Sequence, residues 1–313
     1  MKNIAASVRQ RLLTLSRERR EDFNFMLTQY VIQRLLYRLS RSDYNEQFLL
    51  KGAMLFLVWT GDLHRPTKDI DLLGFGQNDV DVLLAHFKTI CRMEIEDGLV
   101  FDADTLKGIQ IKEDALYQGV RISGYAYLEQ AKVNFQVDIG FGDAVTPKAE
   151  LATIPSFLDL PDPVVRIYPV YTVIAEKFQA MVALGVANSR IKDFYDVWVI
   201  ASGMALAGQL LVDAVSATFI RRDTTTDGMP LTIFGDEFVK NNNKQKQWAA
   251  FLSKNRLKSD KSFTDLMRLL EIFLWPIYQA VSSKQVFARQ WDAVKWEWSV
   301  LPALAESNKS KVF

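Results

Sequence analysis

The chain has 313 residues, 49% hydrophobic and 24% charged, with 38 Lys and Arg against 37 Asp and Glu. That balance supports a sizeable core, excludes a disordered tail, and restricts any nucleic-acid surface to a local patch. One cysteine, Cys91, excludes an internal disulfide framework and a cysteine-built metal site, and two histidines, His64 and His86, are too few for a His-rich zinc centre.

The opening MKNIAASVRQRLLTLSRERREDF is polar and lacks the apolar centre of a signal peptide, and apolar runs such as AMLFLVW fall well short of a bilayer span. The expectation is a soluble, cytoplasmic protein with no membrane partner. Residues 5–20 and 22–40 read as helices, with arginines on the faces between the apolar positions of the second. An apolar run over 48–58 is split by Gly52 and turns at TGDLHRPTK. DIDLLGFG reads as a strand and DVDVLLAHFKTICR as a helix; GIQIKE, YQGVRISGYAYLE and KVNFQVDIGFG read as three further strands. The proline-rich TPKAELATIPSFLDLPDPVVRIYP reads as a connector. Helices are expected at 169–185, 190–202, 206–220, 262–283 and 284–298, with an exposed loop or loosely held helix between Asn241 and Ser262. The order predicts an α+β protein with N-terminal helices over 1–41, a sheet domain over 42–160 and a helical domain over 161–313.

In a strand, alternate residues share a face, so Asp69 and Asp71 point the same way while Ile70 turns to the core. Like charges so placed repel, and a cation relieves them; oxygen ligands suit Mg²⁺ or Mn²⁺. Asp138 lies on the polar face of the alternating strand VNFQVDIGF. Were the two strands neighbours, three carboxylates would converge, enough for two metals about 3.5–4 Å apart. Gly52 follows an apolar strand and opens an apolar helix, where backbone N–H groups can cradle phosphate.

These residues resemble the nucleotidyltransferase superfamily related to DNA polymerase β, whose pattern is hydrophobic-Gly-(Gly/Ser), a helix, Asp-x-Asp on a strand and a third Asp on a later strand. Here LLKGAML, DIDLL and VNFQVDIGF fill it, with Ala53 in place of Gly or Ser. Further on, VYTVIAEKFQAMVALG and SRIKDFYDVWVIA resemble the AbiEii toxins of type IV toxin–antitoxin and abortive-infection systems, as do KGA at Lys51, the run Arg65 to Asp71, and VDIGFGD. The resemblance spans about 48–202.

It implies a nucleotidyltransferase sheet domain followed by a C-terminal helical domain that closes the site. Nucleoside monophosphate would pass from an NTP to an acceptor, with Asp69, Asp71 and Asp138 as metal ligands. It implies that Lys177 and Asp193 join the catalytic set, that Gly52, Ala53 and Lys177 hold triphosphate, and that Arg65 contacts nucleotide, with Thr67 beside it. Lys51 stands open between phosphate ligand and local partner. Lys177 could otherwise be an amphipathic stem reaching solvent, and Arg65 a turn cation paired with Asp62. Asp196 is expected to hold Arg190 or a backbone group, and Asp143 to shape the turn after its strand. By the same resemblance the acceptor is RNA, the 3′ end of tRNA in some members, and a separate antitoxin, a winged-helix protein, is the partner. A small-molecule or protein hydroxyl as acceptor, or nucleotide or partner binding without turnover, are the rival readings.

One basic segment, Lys240 to Lys261, interleaves seven cations with Trp248 and Phe251 and could track a phosphate backbone with aromatics stacked on bases. The arginines at 9, 11, 17, 19 and 20 are a second such candidate. The tryptophans of RQWDAVKWEWSV read as a helix facing core or partner.

Overall fold

The computed structural model describes residues 3–61, 63–114 and 117–300, with backbone alone at 112–114, 117 and 118. Asp62, the expected partner of Arg65, lies outside the described residues. Among the described residues the chain forms two compact units: one runs to Asp143 and adds Lys148–Pro169, and the other takes Ala144–Pro147 and the chain from Val170 onward.

The first unit opens with α1 (Ile4–Arg19) and α2 (Phe23–Arg41). Asn3 and Asp22 cap them, each side chain accepting a backbone N–H of the first turn. Along α2 the apolar positions Met26, Tyr30, Val31, Leu35 and Leu39 are buried as their spacing predicts, but every residue from Gln29 to Leu36 is buried too, so the helix is enclosed on all sides there. Arg34 and Arg38, expected on the faces between, are buried as well. Arg34 Nε lies 3.1 Å and Arg38 Nη1 2.6 Å from the same oxygen of Asp97, itself fully buried. A buried guanidinium requires a carboxylate, and this one stands outside the helix, beyond any periodicity.

There follow β1 (Phe48–Lys51), α3 (Leu55–Thr60), β2 (Asp69–Gly74), α4 (Val80–Cys91), β3 (Leu99–Asp114), β4 (Tyr117–Leu128), β5 (Ala131–Phe141), β6 (Glu150–Thr153) and β7 (Val164–Ile167). They build one seven-stranded mixed sheet in the order β3-β4-β5-β2-β1-β7-β6. Two of its pairings are parallel, β2 with β5 and β1 with β7. Val133, Phe135, Val137 and Ile139 of β5 are buried on the side that packs against α2, each contributing roughly 1.5–3 kcal/mol. One expectation fails and one boundary moves. The proline-rich connector contains β6 and β7, and β7 enters the sheet beside β1 through the burial of Val165 and Ile167. The strand expected at GIQIKE begins at Leu99, with a register shift between Asp102 and Lys107 that breaks the alternation.

In the second unit, α5 (Val170–Leu184), α6 (Ile191–Gly203), β8 (Leu206–Ala207), α7 (Gly208–Arg221), α8 (Asp236–Val239), α9 (Asn242–Lys254) and α10 (Phe263–Ser283) precede β9 (Arg289–Asp292) and β10 (Glu297–Val300). Phe178, Phe194, Phe219, Phe263 and Leu266 make its core. The stretch Val170–Ala187 is long and apolar enough to cross a membrane by composition, but α5 is packed against α6 and α7 within this unit. The segment expected as a helix over 284–298 is a hairpin joined to β8, with Trp291 directly opposite Trp298. Trp291 is fully buried, its Nε1 donating to Ala201 O at 2.7 Å. Ring packing across the strands overrides the helical spacing of these tryptophans.

The basic segment is largely exposed, as expected, but departs from expectation at Lys244 and Trp248. Most of it is α9, in which Lys244 is buried, donates to Asn188 O and lies over the Phe238 ring. Trp248 is buried with Nε1 on Lys261 O, and Phe251 stacks on it. Trp248 is therefore core and offers no platform for bases, while Phe251 is half-buried against it. Lys246, Lys254, Arg256 and Lys258 remain exposed.

Candidate active site

Hydrogen-bond register decides which charged residues of the sheet unit meet. β2 pairs with β5 so that Asp71 stands opposite Asp138. β5 pairs with β4 so that Asp138 stands opposite Arg121, and β2 pairs with β1 so that Asp71 stands opposite Lys51. Arg121, Asp138, Asp71 and Lys51 therefore form one row across four adjacent strands, which are spaced about 4.8 Å apart. Asp69 lies two residues from Asp71 on the same half-buried face, while Ile70 and Leu72 are buried on the other. The expected neighbourhood of the two aspartate strands is present.

The side chains depart from a ready-made cage. Asp138 is gripped by Arg121, whose Nε donates to Oδ1 and Nη2 to Oδ2, both at 2.8 Å, and Gln136 Nε2 adds a bond at 3.2 Å. Among the described residues no three His, Cys, Asp or Glu side chains are gathered into a metal cluster. The hydrogen bond to Asp138, and then the charges of Asp138, Asp69 and Asp71, push the Arg121 pKa up against its partial burial. Arg121 escaped the sequence reading. Alternation in YQGVRISGYAYLE puts it on the polar face with Ser123 and Tyr125, but the register that aims it at Asp138 is not a local property.

Gly52 follows β1 with φ +78°, a left-handed conformation that glycine adopts freely. A Cβ there would lie 1.9 Å from Asp71 Oδ2, so the Asp71 carboxylate rests directly on the bare Cα. Ala53, next along, is buried in the short 3₁₀ turn Gly52–Met54. Lys51 Nζ lies 3.2 Å from Asp143 Oδ2, which also accepts the Tyr168 hydroxyl at 3.4 Å. Asp143 thus anchors Lys51 as well as following its strand. Thr67 is buried, with its hydroxyl 3.4 Å from Asp69 O and its carbonyl accepting from Gln29 Nε2. It fixes the entry to β2. Arg65 is half-buried in the turn before it, and the His64 ring meets Phe56 edge-on.

In the helical unit, Lys177 of α5 reaches two carboxylates of α6. Its Nζ lies 2.8 Å from Asp193 Oδ1 and 2.9 Å from Asp196 Oδ2. Lys177 and Asp193, expected in one catalytic set, are thus ion-paired, and Asp196, expected to hold Arg190 or backbone, binds Lys177 too. Ile191, Phe194 and Val197 of the same helix are buried and fix both acids toward α5. The Lys177 stem does not run out to solvent; its side chain is 15% exposed.

An all-oxygen donor set on one sheet face, with a glycine turn beside it, fits a hard divalent cation and the phosphates it accompanies. No curated protein matches the chain. Two solved structures resemble it: JHP933 from Helicobacter pylori, at 14% identity, covering 83% of this chain and 94% of that one with a TM-score of 0.49, and a second H. pylori protein, assigned as a nucleotidyltransferase, at 14% identity, 83% and 97% coverage and a TM-score of 0.47. The family described as "Nucleotidyl transferase AbiEii toxin, Type IV TA system" matches residues 34–269. The α+β sheet with its acidic row, followed by a helical unit carrying a paired lysine, is thus a nucleotidyltransferase architecture, and the chain belongs to the AbiEii family of nucleotidyltransferase toxins of type IV toxin–antitoxin systems.

Proposed function

We propose that the protein transfers a nucleoside monophosphate from an NTP to the 3′ end of an RNA, tRNA in particular, in a reaction that requires Mg²⁺ or Mn²⁺. The observation that carries this reading is the cross-strand juxtaposition of Asp71 and Asp138, with Asp69 on the same face and Gly52 against Asp71. Asp69, Asp71 and Asp138 would hold the metal. When bound, the metal neutralises the triphosphate and stabilises charge on the attacking and leaving oxygens.

The chain's own residues do the rest. Gly52 lets backbone approach the phosphates where a side chain would obstruct both them and Asp71. Asp138 accepts the proton of the attacking hydroxyl as that oxygen bonds to the α-phosphorus and pyrophosphate departs. The polarised Lys177–Asp193 pair belongs to the same reaction by family pattern, with Lys177 as triphosphate ligand and Asp193 supporting catalysis. Lys51 and Arg65 serve as additional anion contacts. The exposed cations Lys246, Lys254, Arg256 and Lys258 favour an RNA acceptor over a small molecule. The partner is a separately encoded winged-helix antitoxin.

The test is incubation with total RNA, Mg²⁺ and each α-³²P-labelled NTP in turn, beside Asp69→Ala. Label in a discrete RNA band with the intact protein alone supports the reading and names the nucleotide. Absence of label with all four NTPs sinks the RNA acceptor.

A further inference from the structure

The row Arg121–Asp138–Asp71–Lys51 is not free to take a metal as it stands: Asp138 is already occupied by a guanidinium. Arg121 engages both Asp138 oxygens in the parallel fork that makes arginine–carboxylate pairs strong and directional. A divalent ion at Asp138 would bring two further positive charges within a few ångström of that fork. The two cations therefore compete for one carboxylate. The Arg121 side chain is 37% exposed, so it can leave without unpacking the sheet. A triphosphate offers the released guanidinium an equivalent bidentate anion.

We propose that Arg121 is a resident counter-cation that withholds Asp138 from divalent metal until a nucleotide triphosphate draws the guanidinium away. It acts through Asp138 as a positioning residue. This rests on the metal-dependent reading of the site and adds an order to it: Asp138 becomes a metal ligand only in the nucleotide complex. Without nucleotide, the acids of the row are partly neutralised from within the fold, which limits their mutual repulsion.

The experiment is titration of the full chain with Mn²⁺, following free Mn²⁺ by its electron paramagnetic resonance signal, with and without a non-hydrolysable NTP analogue. Arg121→Gln should tighten nucleotide-free Mn²⁺ binding by about tenfold or more, as expected when a close competing charge is removed. Arg121→Lys, which keeps the charge but loses the fork, should fall between, and covers the case in which the glutamine variant does not fold. With the analogue present the gap between wild type and variant should shrink. In an Asp138→Asn background the Arg121 substitution should have no effect, which separates competition at Asp138 from a diffuse field. Unchanged or weaker Mn²⁺ binding by both Arg121 variants overturns the proposal while leaving the metal site intact. Failure of every protein to bind Mn²⁺, with or without analogue, overturns the metal reading itself and this proposal with it.

Discussion

The Asp71 carboxylate lies on the bare Cα of Gly52, so closely that a Cβ there would stand 1.9 Å from Oδ2. Asp71 is held on its strand, so the added methyl must displace either that side chain or the turn. Gly52 also has φ +78°, where an L side chain is strained by about 1 kcal/mol. Gly52→Ala is expected to lower the unfolding free energy by about 1–2 kcal/mol. It should also reduce nucleotidyl transfer at least a hundredfold, a loss out of proportion to its stability effect. Thermal melts and the transfer assay on one preparation check both.

Asp71→Asn should separate function from stability in the opposite direction. Asp71 and Asp138 stand directly opposite on neighbouring strands, where like charges destabilise by about 0.2–1 kcal/mol. The amide removes one of those charges with little change in shape. The expected outcome is abolished transfer with a melting temperature equal to or above wild type. A clear drop in melting temperature would mean that Asp71 is a structural residue.

Lys177 lies between Asp193 and Asp196, whose side chains are 8% and 2% exposed. Lys177→Met would leave two buried carboxylates facing each other, destabilising by about 3 kcal/mol. Asp193→Asn leaves the Asp196 bond in place and should lose about 1 kcal/mol. Urea unfolding midpoints should rank wild type above Asp193→Asn above Lys177→Met. Reversal of the two variants would show that the lysine is not the element holding α5 to α6.

Cys91 is buried at the end of α4, and burial pushes its thiol pKa from 9.0 up to about 12. A folded-state value above the unfolded one means full stability below about 9. Stability then falls as pH rises toward 12, because the unfolded chain ionises first. Tyr30, also buried and beside Asp97, is raised as well and steepens the loss above its ordinary value. Denaturant midpoints should decline from pH 9 to 11, less steeply for Cys91→Ala. The native thiol should resist disulfide-exchange reagents at pH 8.

What was legible in the sequence is what local period encodes. Asp69, Asp71 and Asp138 could be assigned to a polar strand face because alternation within each strand is a two-residue property, and Gly52 because a turn demanded it. The pairing of Asp71 with Asp138 had to be supposed, and the pairing of Asp138 with Arg121 was invisible, since both depend on register between distant strands. The same blindness hid Asp97 from Arg34 and Arg38. The hairpin carrying Trp291 and Trp298 was misread for a different reason. Its aromatic spacing satisfies a helix, while Trp298 stacked on Phe273 and Trp291 edge-on to it hold it as paired strands. The short β7 was masked by the prolines around it, which mark the ends of its four residues rather than an unstructured linker.

The division of the chain into its two units is not a single cut. Ala144–Pro147 belongs with the helices, Thr146 exchanging both backbone bonds with the Thr172 hydroxyl, before the chain returns to lay β6 and β7 along the sheet. A fragment ending at Asp143 would lose two strands of the sheet, and one beginning at Val170 would lose the segment that Thr172 holds. The units are therefore interlaced in the order of synthesis. Only fragments that overlap over 144–169 keep both units whole, so deletion mapping of toxicity or antitoxin binding with a single cut at Asp143 or Val170 would report misfolding where it sought function.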